Sequence, residues 1–197
     1  WYSTPNAANE SFVEPDATEN VRGGKEHTVK LVVRDHELYA YIDGSASPCL
    51  YADLGESYQG GYISLVAHAK DTQGFKTFSV TENVTTATPE AGGVVVSGST
   101  LTANFDSLKF DSTQFTSYYM EARKNNEKGD MQEKAFHELW TVANGTLNRH
   151  MALSDGAEGS KVSALTYNKP LTDFVVSFDY QKYGRYPMLM FGAEKGK

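Results

Sequence analysis

The chain is poor in cysteine. Cys49 stands alone among 197 residues, so no disulfide can close within the chain and no cysteine-rich zinc site can form. A lone thiol suits a cytosolic protein or a bacterial exported one. Clustered positive charge is missing as well. The 18 Lys and Arg are scattered among 25 Asp and Glu, for a net charge of −7. Without a basic stripe, neither nucleic acid nor an anionic membrane surface is an expected partner. No apolar run approaches the roughly 20 residues that a helix needs to span a bilayer. Catalytic signatures are lacking too: there is no Gly-x-Ser-x-Gly elbow, no His-Glu-x-x-His and no glycine-rich phosphate loop. No Asp/Glu pair has a spacing that marks it as acid and base. A glycosidase pair assembled only by folding stays open as an alternative.

What the chain does have is tyrosine, 12 residues against 2 Trp. A phenol ring has an apolar face and a polar tip, which suits either a half-wet sheet or a sugar site. Tyrosine is also a common strand former, so its abundance has a plain structural explanation.

Strand patterning dominates. His27-Thr28-Val29-Lys30-Leu31-Val32-Val33-Arg34 puts Val29, Leu31 and Val33 on one face. After a turn at Asp35-His36, Leu38, Ala40 and Ile42 point one way and Tyr39 and Tyr41 the other. This reads as a hairpin, with Asp43-Gly44 as the next turn. Residues 61–66 and 74–81 form further strands. Residues 85–100 read as a linker, Thr-Thr-Ala-Thr-Pro-Glu-Ala-Gly-Gly, in which Val94-Val95-Val96 is either an edge strand or a tether. Strands resume at 101–105 and 118–122, and residues 130–138 are expected to be helical. Trp140 to Leu147 contains an Asn-Gly turn. Residues 162–167, 173–180 and 186–192 complete the series, with Phe174, Val176 and Phe178 facing a core. Many short strands with almost no helix predict an all-β sandwich.

The order of the segments is unusual. Read from Trp140 to Lys197 and then from Trp1 to Glu82, the motifs Trp-Thr-Val-Ala-Asn-Gly, Leu-Thr-Asp-Phe-Val-Val-Ser-Phe-Asp-Tyr, Gly-Arg-Tyr-Pro-Met-Leu-Met-Phe-Gly, His-Thr-Val-Lys-Leu-Val-Val-Arg, Leu-Tyr-Ala-Tyr-Ile-Asp-Gly and Gly-Gly-Tyr-Ile-Ser-Leu form a series. That series resembles the concanavalin A-like jelly rolls, and most closely carbohydrate-binding module family 66, which accompanies fructan-degrading enzymes of glycoside hydrolase family 32. The resemblance implies that residues 1–84 are the C-terminal half of a jelly-roll module and 101–197 the N-terminal half, joined by the 85–100 linker. Two half-sandwiches would each leave an apolar face and open edges in water. One sandwich built from both halves is therefore expected, closed within the chain or by strand exchange with another copy.

The resemblance also implies a function: a non-catalytic module, secreted or at a bacterial cell surface, that holds a larger glycoside hydrolase on a polysaccharide or oligosaccharide, with the terminal fructose of levan or inulin as the implied ligand. The alternative is a structural or adhesive β-sandwich spacer that binds no sugar. Sugar hydroxyls need directed hydrogen-bond partners, and the C–H face of the ring needs an aromatic. Tyr183 and Arg185 offer both kinds, the guanidinium as a fork donor. In similar modules the loop after the penultimate strand adds polar and aromatic contacts, which places His68, Asp71 and Gln73 in the expected site. Glu194, after the Met-Leu-Met-Phe strand, is a further candidate. Phe191-Gly192 stands where similar modules often carry an arginine after Met-Phe. Jelly rolls often hold a structural calcium, but no Asp-x-Asp-x-Asp loop occurs here. No metal ligand is assigned, and no other cofactor is expected.

Overall fold

The computed structural model describes residues 10–12, 26–68, 72–82, 86–87, 94–95, 100–105, 110–121, 131–150, 161–183 and 188–195. The described chain is an all-β sandwich of two antiparallel sheets. Its first segment supplies β1 (Glu10–Phe12), β2 (Glu26–Arg34), β3 (Glu37–Ile42), β4 (Leu50–Asp53), β5 (Tyr62–His68) and β6 (Thr72–Glu82). The 85–100 region holds a separate ladder of β7 (Thr86–Ala87) with β8 (Val94–Val95). Val94 therefore pairs within its own region rather than with either large sheet. The last segment supplies β9 (Thr100–Asn104), β10 (Phe115–Glu121), β11 (Met131–Lys134), β12 (Trp140–Ala143), β13 (Thr146–Arg149), β14 (Lys161–Tyr167), β15 (Phe174–Tyr183) and β16 (Met188–Ala193).

Both sheets contain strands from both segments. The nine-stranded sheet runs β1-β4-β3-β2-β15-β6-β13-β12, with β9 pairing β6 beside β13. The five-stranded sheet runs β11-β10-β14-β5-β16. Thus β15 lies between β2 and β6, and β14 lies between β10 and β5. Phe178 sits directly opposite Phe78, and both belong to one buried cluster with Leu31, Val33, Ile63, Leu65, Leu165 and Phe174.

Alternation explains most of this burial. In β15, Phe174, Val176, Phe178 and Tyr180 point inward and are at most 3% exposed. β6 needs one irregularity to match. Phe75 and Phe78 are three residues apart, so a regular strand would send them to opposite faces. The register shifts between Asp179 and Tyr180, and Lys76 is the extra residue. That bulge turns both rings inward, and Phe75 meets Phe178 edge-on at 6.0 Å.

Residues 130–138 differ from the helix expected of them. Met131–Lys134 is strand, paired with Ser117 to Met120 of β10, and only Phe136–Leu139 is helical. Met, Gln, Glu and Lys are good helix formers, but over four residues that preference is small and pairing with a sheet edge overrides it. Trp140 then opens β12 and lies in the core at 1% exposed. The Asn144-Gly145 turn has φ of 52° and 75°, the left-handed pair that a two-residue hairpin requires.

Two further features hold the segments together. Glu82, at the end of β6, is 5% exposed. Its carboxylate accepts a hydrogen bond from Tyr167 Oη at 3.0 Å and pairs with Lys169 Nζ. At the start of β5, Gly61 and Gly192 bring two backbones into contact. A Cβ on Gly61 would lie 2.5 Å from the Gly192 carbonyl carbon. Gly192 itself sits in the β16 bulge with φ +71°, against the Tyr58 ring. This is the physical reason that glycine, and not a long side chain, follows Phe191.

Candidate functional site

The site begins with β3. Its inward residues Leu38 and Ala40 are buried in the main core, so alternation turns Glu37, Tyr39 and Tyr41 to the outer face of the nine-stranded sheet. β4 does the same with Tyr51 and Asp53, and Tyr39 lies directly opposite Tyr51. The two rings are 5.1 Å apart, tilted by 47°. Both phenols donate to one carboxylate: Tyr39 Oη to Glu37 Oε2 at 2.8 Å and Tyr51 Oη to Glu37 Oε1 at 2.9 Å. The rings are thereby fixed at their tips, with their planes set by packing below.

Beneath them, Val32, Tyr41 and Val175 form a small apolar floor on which Tyr39 rests. Lys30 Nζ stands 4.7 Å from the centre of the Tyr41 ring, a cation–π arrangement. Burial lowers the Lys30 pKa and raises that of Tyr41. Tyr39 is raised strongly, first by burial and then by the Glu37 carboxylate. Tyr51 is raised chiefly by its hydrogen bond to Glu37. All three phenols therefore stay protonated donors well above neutral pH.

From this aromatic corner, polar residues, serine and threonine among them, run across the sheet in register. One row is Tyr41, Lys30, Ser177, Ser79 and Thr102. The next is Thr28, Asp179, Thr77 and Asn104. Asp179 receives the Thr28 hydroxyl at 2.5 Å and is also bonded by Thr77. A face that combines fixed aromatic rings with ordered hydroxyl, amide and carboxylate groups can stack on a C–H surface and exchange hydrogen bonds with hydroxyls.

The residues expected from the sequence fall elsewhere. Tyr183 and Gln73 lie at the shared end of β15 and β6, where Tyr183 pairs with Thr72 and Lys182 with Gln73. His68 ends β5 in the other sheet, opposite Val162. Asp71 and Arg185 lie outside the described residues. Glu194 is exposed and follows Ala193, which pairs with Tyr62 at the start of β5. It is separated from His68 by the length of β5, about 20 Å at the usual strand rise. The ladders thus bring Tyr183 and Gln73 to one strand end and leave Glu194 at the other end of its sheet. The outer-face cluster was missed for want of one step. The alternation of β3 put Tyr39 and Tyr41 on the polar side, but Leu50-Tyr51-Ala52-Asp53 was not read as the strand that brings Tyr51 beside them.

Among the described residues, no group of three or more His, Cys, Asp or Glu is placed to hold a metal ion. No helix among them is long and apolar enough to cross a membrane. Compared with protein-family models and with curated proteins, the chain matches none.

Proposed function

We propose that the protein is a non-catalytic carbohydrate-binding module that holds a glycoside hydrolase on its polysaccharide, with a fructan such as levan or inulin as ligand. A β-sandwich hosts many functions and does not choose a ligand by itself. The observation that carries the reading is the Tyr39–Tyr51 pair, tied at both phenols to Glu37, beside rows of serine and threonine. Fixed rings lose little side-chain entropy on binding, and the adjacent hydroxyls supply the directed contacts that neutral sugars need. The jelly-roll likeness of the segment order and the secreted setting it implies belong to the same reading.

A second location for the same function rests on the shared end of β6 and β15. There Tyr183 and Gln73 are brought to one strand end, and Asp71 and Arg185 adjoin them in sequence. Affinity electrophoresis and titration calorimetry against levan, inulin and a plant-glycan panel separate the two. Tyr51→Ala should weaken binding tenfold or more, as loss of about 1.5–2 kcal/mol from a central aromatic contact requires. Arg185→Ala and Asp71→Ala should bind like the parent if the outer face is the site. The reverse pattern moves the site to the strand end. A parent protein that binds none of the glycans would instead be a structural spacer, and released reducing sugar would mark a glycosidase.

A further inference from the structure

The two rows of polar residues end at a pocket. One runs from Tyr41 on β3 and the other from Thr28 on β2, across β15 and β6 to Thr102 and Asn104 on β9. Thr102 and Asn104 also line a pocket of about 170 Å³ at that edge of the sheet, together with Phe110, Asp111 and Gln114. The pocket is shaped by aromatic packing. The Phe110 ring lies 5.0 Å from Phe105, 5.5 Å from Phe115 and 5.4 Å from Phe136, so it is a fixed apolar wall. Asp111 and Gln114 stand beside it on the exposed side. Thr113 donates to Asp111 Oδ1 from its backbone nitrogen at 3.0 Å and from its hydroxyl at 2.5 Å, and Gln114 Nε2 lies 3.5 Å from Oδ2. An aromatic wall beside a hydrogen-bonded carboxylate repeats the chemistry of the tyrosine corner, at the far end of the same polar rows.

We infer that this pocket is a second sugar subsite, and that the ligand is a neutral polysaccharide long enough to lie across the sheet from the tyrosine pair to the β9 edge. The inference rests on the carbohydrate reading above and adds to it the length and charge of the ligand. From Tyr51 on β4 to β9 the path crosses five interstrand steps, about 24 Å at the usual strand spacing. A short oligosaccharide reaches one end only, whereas a polymer engages both and gains effective concentration at the second. The charge preference follows from the lining. Hydrogen bonds from the Thr113 hydroxyl and backbone, and from Gln114, hold the Asp111 carboxyl below its ordinary range, so it is anionic at neutral pH. Among the described residues no Lys or Arg lines the pocket, and a uronate or sulfated sugar would bring a like charge beside Asp111.

The test compares affinities for a fructan trisaccharide, for levan and for polygalacturonate, using the whole chain and its Gln114→Ala, Asn104→Ala and Tyr51→Ala variants. The parent should bind levan about a hundredfold more tightly than the trisaccharide, the lower end of what two linked contacts give. It should not bind polygalacturonate. Gln114→Ala and Asn104→Ala should each lose most of the length gain, Gln114→Ala with the trisaccharide affinity kept, while Tyr51→Ala loses both. If the two pocket variants keep the full length gain while Tyr51→Ala fails, the pocket is no subsite and the tyrosine face still stands. A parent with no length gain, or one that takes polygalacturonate as tightly as levan, overturns the inference. If the parent binds no sugar at all, the inference falls together with the function it extends.

Discussion

The contact between Phe75 and Phe178 joins residues about a hundred positions apart, and it can be weighed. Phe75 is fully buried and Phe178 is 3% exposed; their rings meet edge-on at 6.0 Å. Replacing either ring by leucine removes part of a packed volume and should cost about 1–2 kcal/mol, below the 3–5 of a phenylalanine-to-alanine change. Edge-to-face aromatic pairs add about 0.5–1.5 kcal/mol beyond burial. The double variant F75L/F178L should therefore be less destabilised than the sum of the singles, by an amount in that range. The assay is urea unfolding followed through Trp140, which lies in the same core cluster. Each single variant should move the midpoint down by roughly 0.5–1 M at a typical urea slope, in one transition that carries the whole signal. The argument requires one interior shared by β6 and β15. Additive effects within about 0.3 kcal/mol, or unfolding in two steps of which each variant shifts only one, would refute it.

Two other perturbations test different parts of the molecule. At the Gly61–Gly192 contact, Gly61→Ala would drive its Cβ to 2.5 Å from a carbonyl carbon and 2.7 Å from the Ala193 oxygen, and backbone cannot yield cheaply. Gly192→Ala meets only the Tyr58 ring at 3.2 Å, but at φ +71°, for a left-handed cost of about 1–2 kcal/mol. Both should destabilise, Gly61→Ala the more, and thermal melts of the pair give the order. The third concerns alkali. Burial, and secondly Asp173, push the Tyr58 hydroxyl up to about 12, and Tyr39, Tyr41, Tyr51, Tyr118 and Tyr167 are also raised. In the unfolded chain these phenols ionise near 10. Their contribution to stability is therefore complete below about pH 10 and is lost as pH rises towards and through the folded values. Denaturation curves between pH 9 and 12, read beside tyrosinate absorbance, should show stability falling only above about pH 10. A flat profile there would contradict the burial of these side chains.

The sequence made the sheets legible but hid the face that carries the proposed chemistry, and both outcomes have the same cause. Period-2 alternation reports which residues leave water, so Phe174, Val176 and Phe178 could be assigned inward with no knowledge of what they would meet. It does not report which strand lies alongside. Tyr39 and Tyr41 were visible as the polar-side residues of β3. Their meaning depends on Tyr51 arriving on β4 and on Glu37 reaching both phenols, and those contacts are properties of register rather than of pattern. The Lys76 bulge shows the same limit from the other side. Strict alternation would place either Phe75 or Phe78 in solvent, and only pairing against Asp179 and Tyr180 shows where the extra residue is absorbed. The short strand Met131–Lys134 was misread as helix for a third version of this reason. Three polar residues after one apolar anchor carry almost no periodic signal, and an edge of β10 that needs a partner decides their conformation. Local pattern fixes which side of a strand is greasy; a binding face is made by what neighbouring strands bring to the other side.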